Sequence, residues 1–110
     1  MESTAAEPTV SDVPDRGRFE ITVDGRRAGF AAYVRVPGLI AFTHTKIDSA
    51  YGGRGLGGQL VSDALTAARA DGLAVLPFCP FVRGWIEKHP GELDLVPAQY
   101  REQFGLPADA

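Results

Sequence analysis

The sequence predicts an α+β domain: an antiparallel meander, then a crossover helix, a parallel strand and a short helix on a mixed sheet. Three observations carry this. Three strand-like runs are separated by Asp24-Gly25 and Pro37-Gly38, both strong turn signals. After Leu56 the spacing of apolar residues changes from two to about 3.6. A short apolar run, Leu73 to Cys79, follows that helical stretch, as a βαβ crossover requires.

Taken in order, "RFEITV" (Arg18 to Val23) alternates, with Phe19, Ile21 and Val23 on one face. "AGFAAYVRV" (Ala28 to Val36) alternates again and groups Phe30, Ala32, Val34 and Val36. "LIAFTHTKI" (Leu39 to Ile47) is rich in β-branched and aromatic residues and reads as the third strand. Leu60, Val61, Ala64, Leu65 and Ala68 then form the apolar stripe of a helix that ends near Asp71, with Gly72 as its cap. "LAVLPFC" reads as a buried strand parallel to Leu39–Ile47. Pro80 to Gly91 reads as a short helix with Pro80 in its first turn and Pro90 at its end. Leu93 to Val96 is expected as a short edge strand, and "AQYREQFGLPADA" as a last helical turn before a frayed end.

The 110 residues suit one domain. The expected division is a disordered acidic tail over 1–15, the domain proper over 16–97 and a C-terminal extension over 98–110. The tail holds Glu2, Glu7, Asp12 and Asp15, whereas every Lys and Arg lies from Arg16 onward, so the net charge of −3 comes from the tail. The rest is close to neutral and has no basic stripe, which argues against a nucleic-acid partner. No apolar run approaches the ~20 residues that span a bilayer, and the first fifteen residues lack the basic and apolar regions of a secretory signal. Cys79 is the single cysteine, so no internal disulfide forms, and the cytoplasm is the expected compartment. Cys79, His44 and His89 have no recognised zinc spacing, and no metal is expected.

The main chemical signal is five glycines between Gly52 and Gly58, directly ahead of the long helix. A helix N-terminus offers unpaired N–H groups and about half a positive charge. Glycines strip away the Cβ atoms that would hold a ligand off, and Arg54 adds a mobile cation. The result suits a phosphate or pyrophosphate. No Gly-Lys-Ser/Thr ending follows, which excludes a P-loop. Gly53-x-Gly55-x-x-Gly58 matches a dinucleotide fingerprint formally, but "LAVLPFC" lacks the acidic residue that fingerprint needs about twenty positions on.

"HT" at His44-Thr45, "GRGLGGQL" at Gly53 to Leu60, "PFCPFV" at Pro77 to Val82 and "HP" at His89-Pro90 together resemble a minimal branch of the GNAT N-acetyltransferase superfamily, over about Phe19 to Val96. The resemblance implies a GNAT-like mixed sheet and acetyl-CoA as co-substrate, held in the cleft between Leu39–Ile47 and Leu73–Cys79. Gly53, Arg54, Gly55, Leu56, Gly57 and Gly58 would surround the pyrophosphate, with Ile47 at the end of the cleft strand. It implies transfer of an acetyl group to a primary amine: a protein lysine or N-terminus, or a small amine. The alternative is a CoA- or acyl-CoA-binding module without turnover. A monomer or weak dimer is the expected assembly, with no membrane partner. Two positions depart from the family pattern. Gly52 stands where the loop often begins with Gln or Arg, and Trp85 lies on the helix where larger relatives carry a proton-donating Tyr.

Cys79 and His44 are the candidate catalytic residues. A thiol that ionises near pH ~8.5 can protonate a leaving thiolate, attack the thioester itself, or simply pack. Alternation from Phe42 puts His44 on the same face as Phe42 and Lys46. There it reads either as a structural histidine or as a general base for the incoming amine. Phe78, Phe81 and Trp85 read as core packing or as a wall for the pantetheine arm.

Overall fold

A computed structural model describes residues 7–107. One five-stranded sheet runs in the order β1-β2-β3-β4-β5: β1 (Thr9–Val13), β2 (Arg18–Val23), β3 (Arg26–Val36), β4 (Leu39–Ile47) and β5 (Ala74–Pro77). The first four strands pair antiparallel, and β5 lies parallel to β4. The connection between them is α1 (Leu56–Ala70). After β5 come α2 (Pro80–Lys88), a 3₁₀ turn over Pro90–Leu95 and α3 (Ala98–Arg101). This is the mixed α+β sheet that the hydrophobic periods predict.

Alternation builds the core. Phe19, Ile21 and Val23 of β2, Ile40 and Phe42 of β4 and Val75 of β5 are buried on one face. α1 covers that face with Leu60, Val61, Ala64, Leu65 and Ala68, and α2 adds Val82 and Ile86 to the same cluster. On the opposite face Val34 and Val36 remain 60% and 46% exposed. Phe30, Ala32, Val34 and Val36 therefore share the open face of β3.

Two bulges reset the alternation. Ile21 pairs with Gly29 and Thr22 with Arg27, leaving Ala28 of β3 without a partner. Ala32 pairs with His44 and Tyr33 with Phe42, leaving Thr43 of β4 without one.

Residues 9–13, read from the sequence as part of an acidic tail, form the edge strand. Val10 lies opposite Ile21 and packs against the core, and Tyr33 Oη donates to Asp12 Oδ1 at 2.6 Å across β2. Gln59 Nε2 of α1 donates to the Pro8 carbonyl at 3.2 Å. Thr22 Oγ1 adds a third such bond, to the Thr9 carbonyl at 3.4 Å, so a strand of mostly polar residues is held by the ladder and by side-chain tethers that no apolar pattern announces. Residues 1–6 of the expected tail lie outside the described residues. Leu93–Val96 also differs from its expectation. Pro90 opens a 3₁₀ turn, and Arg69 of α1 holds that turn through Asp94 at 2.8 Å and Glu92 at 3.1 Å. Beyond it Phe104 and Leu106 are buried in the core, so the described part of the expected C-terminal extension contributes side chains to the domain.

Candidate functional site

β4 and β5 pair only from Leu39↔Ala74 to Phe42↔Pro77. The Cys79 N–H still reaches the Phe42 carbonyl at 2.9 Å. β4 then runs on to Ile47 while the other chain turns into α2. The carboxyl ends of two neighbouring parallel strands thus part, and a helix begins beyond each. Ligands on open sheets bind at such a divergence.

The glycine loop sits at the start of α1. Gly53 and Gly55 have φ of +79° and +75°, the left-handed region that favours glycine, and a Cβ on either would meet nothing within 4 Å. Gly55 is the N-cap of α1 and makes no side-chain capping bond. The start of α1 thus has no side-chain cap, and the loop is open beside Gly53 and Gly55. Arg54 is exposed, its guanidinium 5.3 Å above the Tyr51 ring. This part of the loop fits a pyrophosphate by shape and by charge.

Gly57 and Gly58 have another evident task. They lie in the first turn of α1, against α2. A Cβ on Gly57 would come 2.7 Å from the Phe81 ring tip, and one on Gly58 2.7 Å from Trp85. The two glycines let α2 approach so closely that the two helix N-termini lie side by side. Trp85 in turn stacks on His89 with ring centroids 3.8 Å apart, and His89 Nδ1 lies 2.8 Å from the Trp85 carbonyl oxygen. The indole Nε1 is buried with no hydrogen-bond partner among the described residues. A groove of about 240 Å³, lined by Pro80, Phe81, Gly84, Trp85 and Lys88, follows the outer side of α2.

Cys79 is the N-cap of α2 and is 2% exposed. Its Sγ lies 3.2 Å from Thr45 Oγ1. The bulge at Thr43 explains this partner. In an uninterrupted strand His44 would share a face with Phe42; with the extra residue, Thr45 and Ile47 take that face. His44 lies instead on the open face, exposed, with its ring 5.9 Å from Phe30. The expected placement of His44 with Phe42 is thus corrected, and the structure does not set His44 facing Cys79. Ile47 packs over β3, where a Cβ on Gly29 would lie 2.5 Å from its Cδ1. Leu56 is buried beneath the loop and anchors it.

The model of the GCN5-related N-acetyl-transferase family matches residues 18–95. The chain belongs to the GCN5-related N-acetyltransferases. The matched stretch begins with β2 and ends with the 3₁₀ turn, so it contains β4, the glycine loop, β5 and α2, and leaves out β1 and α3. No curated protein matches the chain in sequence. Among the described residues no helix is long and apolar enough to cross a membrane.

Two features of this N-acetyltransferase domain escaped the sequence reading: Thr45 as the partner of Cys79, and the aromatic cover of Gly57 and Gly58. The first did leave a trace. Phe42 and Ile47 are five residues apart, an odd spacing that cannot put both on the core face unless a bulge intervenes.

Proposed function

We propose that this protein transfers the acetyl group of acetyl-CoA to a primary amine, with the pyrophosphate on the loop from Gly53 to Gly58 and the thioester in the gap between β4 and β5. The observation that carries the reading is the loop itself. Two left-handed glycines and an uncapped helix N-terminus stand at the point where two parallel strands part. Family membership supports acetyltransferase chemistry; the co-substrate and the acceptor class are our reading.

In this mechanism the amine attacks the thioester carbonyl in a complex of all three partners. The C–N bond forms and the C–S bond breaks. Cys79 gives its proton to the departing CoA sulfur, and the nitrogen loses one to base or solvent. Positioning and backbone N–H groups supply most of the rate. His44, on the opposite face of β4, is the residue we assign to an amine arriving over the open sheet. The acceptor is an exposed amine, a protein lysine or N-terminus or a small polyamine, because the short connections leave little to enclose one. We place the reaction in the cytoplasm.

A second reading, an acyl-CoA-binding module without turnover, draws on Trp85. Its indole N–H is too weak an acid to protonate a leaving thiolate, where larger relatives carry tyrosine. Release of free CoA thiol decides between the two. Acetyl-CoA plus a panel of amines should liberate thiol in step with amine acetylation. Tight acetyl-CoA binding with no thiol released by any amine would establish the second reading.

A further inference from the structure

We infer that Thr45 is the positioning residue for Cys79: its hydroxyl orients the thiol and then stabilises the thiolate left when the proton has gone. The catalytic half of this inference rests on the acetyl-transfer reading; the coupling of Thr45 to Cys79 does not.

Three observations meet here. The Oγ1–Sγ distance is 3.2 Å, well inside hydrogen-bonding range for sulfur, and Cys79 is the single hydrogen-bond partner of that hydroxyl among the described residues. The unpaired Thr43 puts Thr45, not His44, on the face of β4 that looks toward α2. Cys79 sits at the N-cap of the nine-residue α2 and makes no capping bond to it, so its sulfur is left to the Thr45 hydroxyl.

Among the described residues no charged side chain is hydrogen-bonded to Cys79 or to the Thr45 hydroxyl. On β4, His44 and Lys46 lie on the opposite face. On α2, the Arg83 guanidinium is held by the carbonyls of Pro77 and Phe78 at 3.4 and 3.0 Å. Toward the core α1 presents Leu60, Val61 and Ala64. A neutral hydroxyl can serve both protonation states of the thiol. It accepts from S–H at rest and donates O–H to S⁻ after the proton passes to the CoA sulfur. The thiol is then restored by the proton that the acetylated nitrogen releases to solvent. No other reactant enters.

The test is an ultraviolet titration of the thiolate. Cys79 is the single cysteine, so a Cys79→Ala control removes the whole thiol signal and leaves the tyrosines. Thr45→Val keeps the branched shape and deletes the hydroxyl; Thr45→Ala deletes it without requiring the same fit. Thr45→Ser keeps it. A lost hydrogen bond to a charged group should move ionisation up by about one pH unit or more. We expect that rise in Val and Ala and a titration like wild type in Ser. The pH–rate profile for acetyl transfer should move with the titration. Wild-type ionisation in folded Val and Ala variants would overturn the inference, as would a shifted titration with an unmoved rate profile. If wild type shows no turnover, the acetyl-transfer reading fails, and the titration alone still decides whether Thr45 governs the thiol.

Discussion

Single atoms decide much at this site. Gly57 and Gly58 are adjacent and both helical, yet their alanine variants should differ in sign. Alanine is favoured over glycine in a helix by about 1 kcal/mol. At Gly57 the new methyl meets the tip of Phe81, a half-exposed ring that can swing aside, so Gly57→Ala should be neutral or stabilising. At Gly58 it meets Trp85, which is held by its stack on His89, and overpacking costs about 1–3 kcal/mol. Gly58→Ala should therefore lower the unfolding midpoint, and thermal melts of both variants measure the contrast. Tyr33 offers a second residue-level test. Burial, then its hydrogen bond to Asp12 and the charge on Asp12, push the phenol up to about 12. A raised folded value means that stability is fully present below the ordinary range near pH ~10 and is lost as pH rises through the folded value. Urea unfolding across that alkaline window should show the loss in wild type and a flatter curve in Tyr33→Phe.

The elements were legible where one principle dominated. The bounds of Arg18–Val23 and Leu39–Ile47 follow from alternation and from turn residues that admit no strand. The start of α1 at Leu56 follows from the change of period. What escaped the sequence depended on partners far along the chain. The edge strand at Thr9–Val13 is mostly polar, and it is held by Tyr33, by Gln59 and by the ladder to β2. Leu93–Val96 alternates like a strand, but Pro90 and the ion pairs to Arg69 turn it into a 3₁₀ segment. The face of His44 depends on one unpaired residue, and the cover over the glycines depends on where α2 lands. The edge strand can be tested directly. Deleting residues 1–13 removes the ladder to β2, the hydrogen bonds from Tyr33 and Gln59 and the packing of Val10, together about 2 kcal/mol. It should lower the melting midpoint by roughly 10 °C, and an unchanged midpoint would show that the strand contributes nothing.

At the scale of the molecule, a single sheet with its helices on one face concentrates the means of recognition at one end. Both helix N-termini, the parting of β4 from β5 and the glycine loop meet there, while the open face beside His44 leaves a second approach. The chain belongs to a family of acetyltransferases, and the central claim is that this end holds acetyl-CoA through backbone at Gly53 to Gly58. Gly55→Asp tests it most directly. Aspartate tolerates the left-handed region better than most residues, at about 1 kcal/mol, and its Cβ would meet no atom of the protein within 4 Å. The variant should therefore fold, with a carboxylate where the pyrophosphate would lie. Calorimetric titration with acetyl-CoA should show affinity reduced at least about tenfold, or 1.4 kcal/mol. Unchanged affinity in the folded variant would contradict the account.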